Sequence, residues 1–316
     1  MKSQEIVIRK YTSDDLSEVL ALIGKSDSTN RTKETWVGND MTAILAFEGE
    51  KLIGIIPFEK RKIVLHRNTE INALWVSAAH IEPAYRRQGI GTRLDDAIGK
   101  EFSPEFKAVF VIREDQLSDA YRWYVKLGYQ HLAEIISLKL NVAPMEKHTV
   151  FTLIESVEKI KKYGPKLKKC FNDCVGDFGG YPKRDELFWA KKFETHYYKD
   201  HYKYCMIIIE VEEVQAYALI GRTNLRDDID RLDILELIVP GDDEIRKDLF
   251  KAILNYGDQI KCKEVRIQLT DQDPLVHWCK GLGFAIRWQT HLLGKYIDSD
   301  NPLTGVKWKF FHIDYI

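Results

Sequence analysis

Apolar runs typical of strands alternate with helical patterns along the first part of the chain. Residues 6–10 and 73–81 are short and rich in strand formers. Beyond residue 91, Leu94, Ala97 and Ile98 recur at helical spacing with charged residues between them. This alternation predicts strands connected by amphipathic helices, which is typical of an α/β (α+β mixed sheet) fold.

The pattern appears again in the second half of the chain, after a polar linker at residues 141–148 that contains a proline. Residues 278–284 share Trp, Leu and Gly with residues 123–129 at equivalent positions. A chain of 316 residues also exceeds one typical domain. We therefore expect two domains, residues 1–142 and 143–316.

A basic loop with two glycines joins the apolar run at residues 73–81 to the helix that follows it. Unpaired backbone N–H groups and the positive end of the helix dipole meet at a helix N-terminus, and both attract anions. Gly89 and Gly91 lack the Cβ atoms that would keep a phosphate at a distance, and Arg86 and Arg87 add positive charge. The loop therefore predicts a phosphate site.

Two familiar nucleotide-binding loops are excluded by the residues that follow these glycines. A Walker loop needs a lysine followed by Ser or Thr, and this pair is missing. A dinucleotide fingerprint needs a third glycine, but Gly91 is followed by Thr92-Arg93-Leu94. Neither class of nucleotide-binding protein fits the loop.

The pattern Arg86-x-x-Gly89-x-Gly91 after a strand is similar to motif A of the GNAT acetyltransferases, and residues 120–129 resemble their motif B. The resemblance covers roughly residues 5 to 140. It implies that each domain is a mixed, largely antiparallel twisted sheet flanked by helices. It also implies acetyl-CoA as the co-substrate, with no metal. The cofactor-binding residues that it implies are Ala79, His80, Ile81, Arg86, Arg87, Gln88, Gly89, Ile90, Gly91 and Thr92.

The same resemblance suggests residues for the chemistry. Tyr124 is the candidate acid that protonates the sulfur of CoA, and Glu82 is the first candidate for the base that accepts the proton of the amine. His80, Glu70 and the carboxylate of Ile316 are the alternatives for the base. One departure from the family pattern is Leu117, with Ser118 beside it, where an asparagine often contacts CoA.

The second copy lacks the features of a cofactor loop. When Pro240 is aligned with Pro83, the positions of Arg86, Arg87, Gly89 and Gly91 are taken by Asp243, Glu244, Arg246 and Asp248. Three of these four residues are acidic, and Cys279 replaces Tyr124. Negative charge at this place repels a pyrophosphate. We therefore expect a degenerate copy that shapes the substrate cleft, packs against the first copy or mediates dimerisation, so that a homodimer is an open alternative.

Composition narrows the range of binding partners that we expect. Charged residues make up 30% of the chain, yet the formal net charge is −1, so neither nucleic acid nor an anionic membrane is an expected partner. Five cysteines form no paired C-x-x-C framework and predict free thiols. The sequence has no apolar run of membrane length and no signal peptide at its start, and it predicts a cytoplasmic protein.

Two functions remain open at this stage. The first is an N-acetyltransferase that acts on a primary amine of a small molecule or peptide, and the second is a non-catalytic acyl-CoA binder. Tyr124 favours the enzyme, because a binder has no need of a proton donor at the thioester. A group of aromatic residues predicts either core or an acceptor pocket, with core favoured: Phe178, Tyr181, Phe188, Trp189, Tyr197 and Tyr198.

Overall fold

The structure is a computed structural model that describes most of the chain. The described residues are 5–24, 36, 41–66, 69–77, 79–103, 105–144, 150–176, 178–194, 202–223, 231–297, 303, 305–311 and 314. The helices are α1 (Leu16–Ile23), α2 (Ile90–Phe102), α3 (Asp119–Lys126), α4 (Val157–Val175), α5 (Phe188–Glu194), α6 (Asp243–Gln259) and α7 (Leu275–Gly281). None of these helices is long and apolar enough to span a membrane.

The strands alternate with these helices along the chain. They are β1 (Ile6–Lys10), β2 (Met41–Glu48), β3 (Lys51–His66), β4 (Thr69–Val76), β5 (His80–Ile81), β6 (Ala108–Arg113), β7 (Gln130–Asn141), β8 (Thr152–Ile154), β9 (Phe178–Gly179), β10 (Tyr181–Pro182), β11 (Tyr202–Glu210), β12 (Val214–Thr223), β13 (Arg231–Ile238), β14 (Glu264–Thr270), β15 (Ala285–Tyr296) and β16 (Lys307–Trp308).

The chain forms two compact units, and each is built from separate segments of the sequence. Unit 1 comprises Met1–Ile63, Thr69–Leu132 and His291–Gly305, and unit 2 comprises Val64–Asn68, Ala133–Thr290 and Val306–Ile316. That residues 1–142 and 143–316 are two copies of one domain stays a prediction.

Unit 1 contains a mixed sheet in the order β1-β2-β3-β4-β6-β15. The pairs β1–β2, β2–β3 and β6–β15 are antiparallel, and β4–β6 is parallel. Helix α2 covers one face of this sheet, with Leu94, Ile98 and Phe102 packed in a core that includes Ile56 and Leu74. The apolar positions that predict the helix are the ones that form this core.

Unit 2 repeats the same order of strands, β8-β11-β12-β13-β14-β7. Here β13–β14 is the parallel pair, and β8–β11, β11–β12, β12–β13 and β14–β7 are antiparallel. Helix α6 packs Leu249 and Ile253 into a core with Leu232 and Val265. Mixed, largely antiparallel sheets flanked by helices confirm the predicted fold class.

The last strand of each sheet comes from the other half of the sequence. In unit 1, residues 291–296 of β15 pair with β6, and in unit 2, residues 135–141 of β7 pair with β14. Hydrophobic periodicity cannot predict this exchange, because it indicates that a segment forms a strand but not which distant strand it pairs with.

The ends of α3 and α7 are built alike, as the repeated Trp, Leu and Gly suggest. The N–H of Tyr129 donates to the carbonyl of Tyr124, and the N–H of Phe284 donates to the carbonyl of Cys279, each at 3.1 Å. The glycine between them has φ of 88° in the first case and 91° in the second. This helix ending requires a left-handed residue, so glycine at both positions has a physical cause.

Candidate active site

A cavity of about 660 Å³ lies in unit 1 where β5 and β6 diverge. The parallel pairing of β4 with β6 ends at Trp75 and Phe110, and β5 then pairs with β3. The cavity is lined by strand ends, by the predicted loop and by helices α2 and α3; the lining residues are Ile55, Ile56, Ala79, His80, Ile81, Tyr85, Arg86, Arg87, Gly89, Ile90, Gly91, Thr92, Leu94, Arg113, Asp119, Ala120, Trp123 and Tyr124.

The N-terminus of α2 opens into this cavity. Gly89 is the N-cap residue and has no side chain to bond the helix, and the first helical bond runs from Arg93 N–H to Gly89 O at 3.1 Å. The N–H groups of Ile90, Gly91 and Thr92 therefore have no partner within the helix. Together with the helix dipole they form a site that favours an anion.

The two glycines of the loop have different roles. Gly89 has φ of 77°, and a Cβ built on it would meet no atom within 4 Å, so it borders open space as the sequence predicts. A Cβ on Gly91 would instead lie 2.9 Å from the ring of Trp123 and 3.2 Å from Ile81. Packing against Trp123 and Ile81 therefore excludes a side chain at Gly91.

The basic residues of the loop are exposed. Arg86 and Arg87 line the cavity, and Arg86 Nε donates to the carbonyl of Ile81 at 2.9 Å. Arg87 has φ of 61°, which turns the chain just before the helix. Gln88 does not line the cavity, and its side chain donates to the carbonyl of Ala84 at 2.9 Å. Two of the three side chains thus border the cavity.

Tyr124 lies at the inner end of the cavity and is only 1% exposed. Arg113, at the end of β6, donates from Nη2 to the Tyr124 hydroxyl oxygen at 3.0 Å, and its guanidinium lies 4.8 Å from the centre of the ring. Burial raises the pKa of Tyr124, although Arg113 acts in the opposite direction. The hydroxyl therefore keeps its proton at neutral pH and can donate it.

Sequence reasoning missed Arg113. The available signal was its place at the carboxyl end of a strand in a parallel pair, where ligand sites of α/β sheets gather. Its guanidinium group donates to the hydroxyl of Tyr124, which the sequence already indicates as the candidate acid. The pairing could not be predicted, because the two residues meet only through the packing of α3 on the sheet.

A buried carboxylate holds the tyrosine that packs against Tyr124. Asp95 on α2 is 2% exposed and accepts from the Tyr129 hydroxyl at 2.9 Å and from Lys295 Nζ at 2.7 Å. The Tyr129 ring packs against Tyr124, with centroids 4.9 Å apart. Asp95 thus links α2 by hydrogen bonds to Tyr129, which follows α3, and to Lys295 in the part of β15 that belongs to unit 1.

The candidates for the base are placed differently from one another. His80 lines the cavity, whereas the neighbouring Glu82 is half-buried and is outside the lining, with its N–H bonded to Ile53 O at 2.9 Å. Glu70 pairs with Lys62 at 3.1 Å and does not line the cavity. Ile316 lies outside the described residues.

The departure at residue 117 has a structural outcome. Leu117 is 73% exposed and does not line the cavity. Ser118 is the N-cap of α3, and its hydroxyl oxygen accepts from the N–H of Tyr121 at 3.1 Å. Ser118 therefore fixes the start of the helix that carries Tyr124.

The corresponding helix of unit 2, α6, has its N-terminus capped by an aspartate side chain. Asp242 is the N-cap of α6, and its Oδ1 accepts from the N–H groups of Glu244 and Ile245 at 2.8 and 3.1 Å. Cys279 is buried, and burial raises the pKa of its thiol to about 12. The place of an external anion is thus taken by a side chain of the protein.

The aromatic residues of the middle segment belong to a core of unit 2. Tyr181 and Trp189 are buried there, and Phe178 and Phe188 pack against it. Tyr197 and Tyr198 lie outside the described residues. Among the residues that the structure describes, the favoured interpretation as core holds. All five cysteines are free, as expected.

Comparison with known proteins finds one matching family. Residues 11–129 match the Acetyltransferase (GNAT) family. The matched segment is similar to that family and carries both the open helix N-terminus and Tyr124. No curated protein sequence matches the chain.

Solved structures resemble nearly the whole chain. A probable N-acyltransferase of unknown function from Enterococcus faecalis V583 has a TM-score of 0.68 at 11% identity, over 93% of this chain and 72% of that one. A GCN5-related N-acetyltransferase from Anabaena variabilis ATCC 29413 has a TM-score of 0.66 at 12% identity, over 93% and 73%.

A tandem GNAT protein from the clavulanic acid biosynthesis pathway has a TM-score of 0.55 at 11% identity, over 94% of this chain and 100% of that one. At such identities the likeness shows the fold alone. It extends to tandem GNAT proteins and covers both units.

The contact between Gly91 and Trp123 yields a first prediction. Gly91→Ala should destabilise the protein by about 1–3 kcal/mol, because the new Cβ displaces a packed ring. Gly99→Ala in the same helix is the matched control, because its Cβ would meet only Ile297, at 3.8 Å. This variant should stabilise the protein by up to about 1 kcal/mol, since alanine favours the helix more than glycine does. Urea denaturation measures both, and equal effects of the two variants would contradict the packing role.

Proposed function

We propose that the chain is an acetyl-CoA-dependent N-acetyltransferase that moves an acetyl group to a primary amine by direct attack on the thioester. The observation that carries the proposal is one cavity with an open helix N-terminus at its mouth and a buried, protonated tyrosine at its inner end. The first feature suits a pyrophosphate, and the second suits a leaving thiolate.

The loop residues would hold the cofactor. The N–H groups of Ile90, Gly91 and Thr92 would bind the pyrophosphate, and the exposed Arg86 and Arg87 would add charge from the rim of the cavity. The backbone of residues 79–81, which borders the same cavity, would take the pantetheine arm as an added strand.

Tyr124 would supply the proton. The amine nitrogen forms a bond to the carbonyl carbon, the carbon–sulfur bond breaks, and the Tyr124 hydroxyl donates its proton to the departing sulfur. Arg113, which already donates to the tyrosine oxygen, stabilises the tyrosinate that remains until a proton returns. The pair thus acts as an acid whose conjugate base is stabilised by a fixed cation.

The amine must lose a proton during the reaction. Glu82 is the proposed base, and its place beside the strand end but outside the cavity lining means that it would act through a water molecule. His80 is the alternative, because it borders the cavity directly and an imidazole can accept a proton.

The second candidate function is a non-catalytic acyl-CoA binder. It shares the open helix N-terminus with the enzyme but has no use for Tyr124 or for the guanidinium aimed at its hydroxyl. That buried pair favours the enzyme. The acceptor would be an amine-bearing small molecule or peptide.

The cofactor loop can be tested by charge alone. Both Gly89→Asp and Gly89→Asn place a side chain in open space at a left-handed position, which Asp and Asn adopt more readily than other residues with a Cβ, so the backbone strain is matched between the two variants. The aspartate adds a negative charge at the helix N-terminus, so we expect acetyl-CoA affinity to fall about tenfold or more relative to the asparagine variant. Isothermal titration calorimetry measures both affinities.

Circular dichroism of the two Gly89 variants is the control for folding. Equal affinities in two folded variants would mean that the pyrophosphate does not lie at the N-terminus of α2.

Tyr124→Phe tests the chemistry. It keeps the ring and its packing, so kcat should fall about 10²-fold while the KM for acetyl-CoA changes little. Tyr129→Phe is the matched control, because it removes a buried tyrosine hydroxyl that does not line the cavity, and Asp95 keeps its bond from Lys295. We expect it to keep turnover within a few-fold of the wild type.

A thiol-release assay with acetyl-CoA and a panel of amines, polyamines, aminoglycosides and peptides measures these rates and identifies the acceptor. Full activity of Tyr124→Phe would show that the thiolate leaves without this proton. Absence of turnover with every amine, together with tight acetyl-CoA binding, would favour the binder.

A further inference from the structure

Unit 2 contains a polar cavity of about 350 Å³ that the transferase chemistry does not use. It lies on the face of the sheet that alternates with the apolar residues packed against α6. Three arginines line it: Arg231 on β13, Arg266 on β14 and Arg287 on β15. The concentration of guanidinium groups at one cavity is the feature that needs an explanation.

The register of the strands brings these groups together. Asp233 on β13 pairs with Arg266 on β14, and Gln268 on β14 pairs with Ser137 on β7. All four side chains line the cavity. Ser137 is 1% exposed, Asp233 is 5% exposed and Arg266 is 9% exposed, so the floor of the cavity is built from polar groups shielded from water.

The carboxylates of this face do not balance the arginines. Arg231 pairs with Asp233 at 3.1 Å, and Arg266 pairs with Glu264. Arg287 makes no hydrogen bond or ion pair with any residue that the structure describes. Three guanidinium groups against two carboxylates leave one excess positive charge.

Two further observations point to a missing negative partner. Arg266 Nε is buried and has no hydrogen-bond partner among the described residues, which is costly for a charged group. Burial and the nearby Arg266 lower the pKa of Arg287 below its usual range. Both effects disappear when an anion accepts from the two side chains.

We propose that this cavity binds a small anionic metabolite through a phosphate or carboxylate group, held by Arg287 and Arg266 and by neutral donors from Ser137 and Gln268. Trp288, which also lines the cavity and is 37% exposed, offers a flat apolar surface to the rest of the ligand. Asp233 already pairs with Arg231, and Glu264 already pairs with Arg266. The site therefore fits one anionic group rather than a polyphosphate.

This site is separate from the proposed cofactor site. Its residues belong to unit 2, whereas the open N-terminus of α2 belongs to unit 1. Loss of acetyl-CoA binding would therefore leave the anion site standing, and the two proposals can fail independently.

The test is a calorimetric titration of the full chain with inorganic phosphate and, separately, with succinate, at ionic strength held constant with chloride. The arm that binds more tightly identifies the anionic group. Arg287→Gln should weaken binding about tenfold or more, because it removes a charge-assisted donor. Arg287 is exposed and lies outside the hydrophobic core, so the variant should fold.

Two further variants make the result specific. Lys280→Gln removes the same charge from an exposed position of unit 2 outside the cavity and should leave the affinity unchanged. Asp233→Asn removes a competing carboxylate without changing its shape and should tighten binding about threefold or more.

Several outcomes would overturn the proposal. One is that neither anion gives more heat than chloride. Another is that Arg287→Gln binds as well as the wild type, which would place the bound anion elsewhere in the chain. Weaker binding by Asp233→Asn would also contradict it, because that carboxylate opposes an anion in the proposed site.

Discussion

The proposed function depends on one uncapped helix N-terminus. A polar side chain at the N-cap can bond the first N–H groups of a helix, and Asp242 does so in α6. Helix α2 begins at a glycine and leaves its first N–H groups facing a cavity. One chain thus contains a capped and an uncapped version of the corresponding helix start.

The rest of the cavity holds this helix end in place. Gly91 lets the α2 backbone approach Trp123, and the end of α3 places Tyr124 beneath it. Asp95 links α2 to Tyr129 and Lys295 through buried hydrogen bonds, which leave little freedom for either helix to shift. The same packing therefore sets the positions of the α2 N-terminus and of Tyr124 in the cavity.

Local patterns made much of this predictable. The glycines and arginines of residues 86–91 marked the helix start, and the repeated Trp, Leu and Gly marked two identical helix endings, because such turns need particular residue types. The partner of Tyr124 could not be predicted, since Arg113 meets it only through tertiary packing. The exchange of β7 and β15 was hidden for a related reason, because strand pairing over long distances leaves no local signature.

The number of acetyl-CoA molecules that bind to one chain tests the account most directly. Calorimetric titration of the full chain should give one equivalent, because only α2 has an open N-terminus of the two matched helices. Two equivalents would show that unit 2 also binds the cofactor despite Asp242. That result would contradict the central claim that a capping carboxylate separates the two units in function.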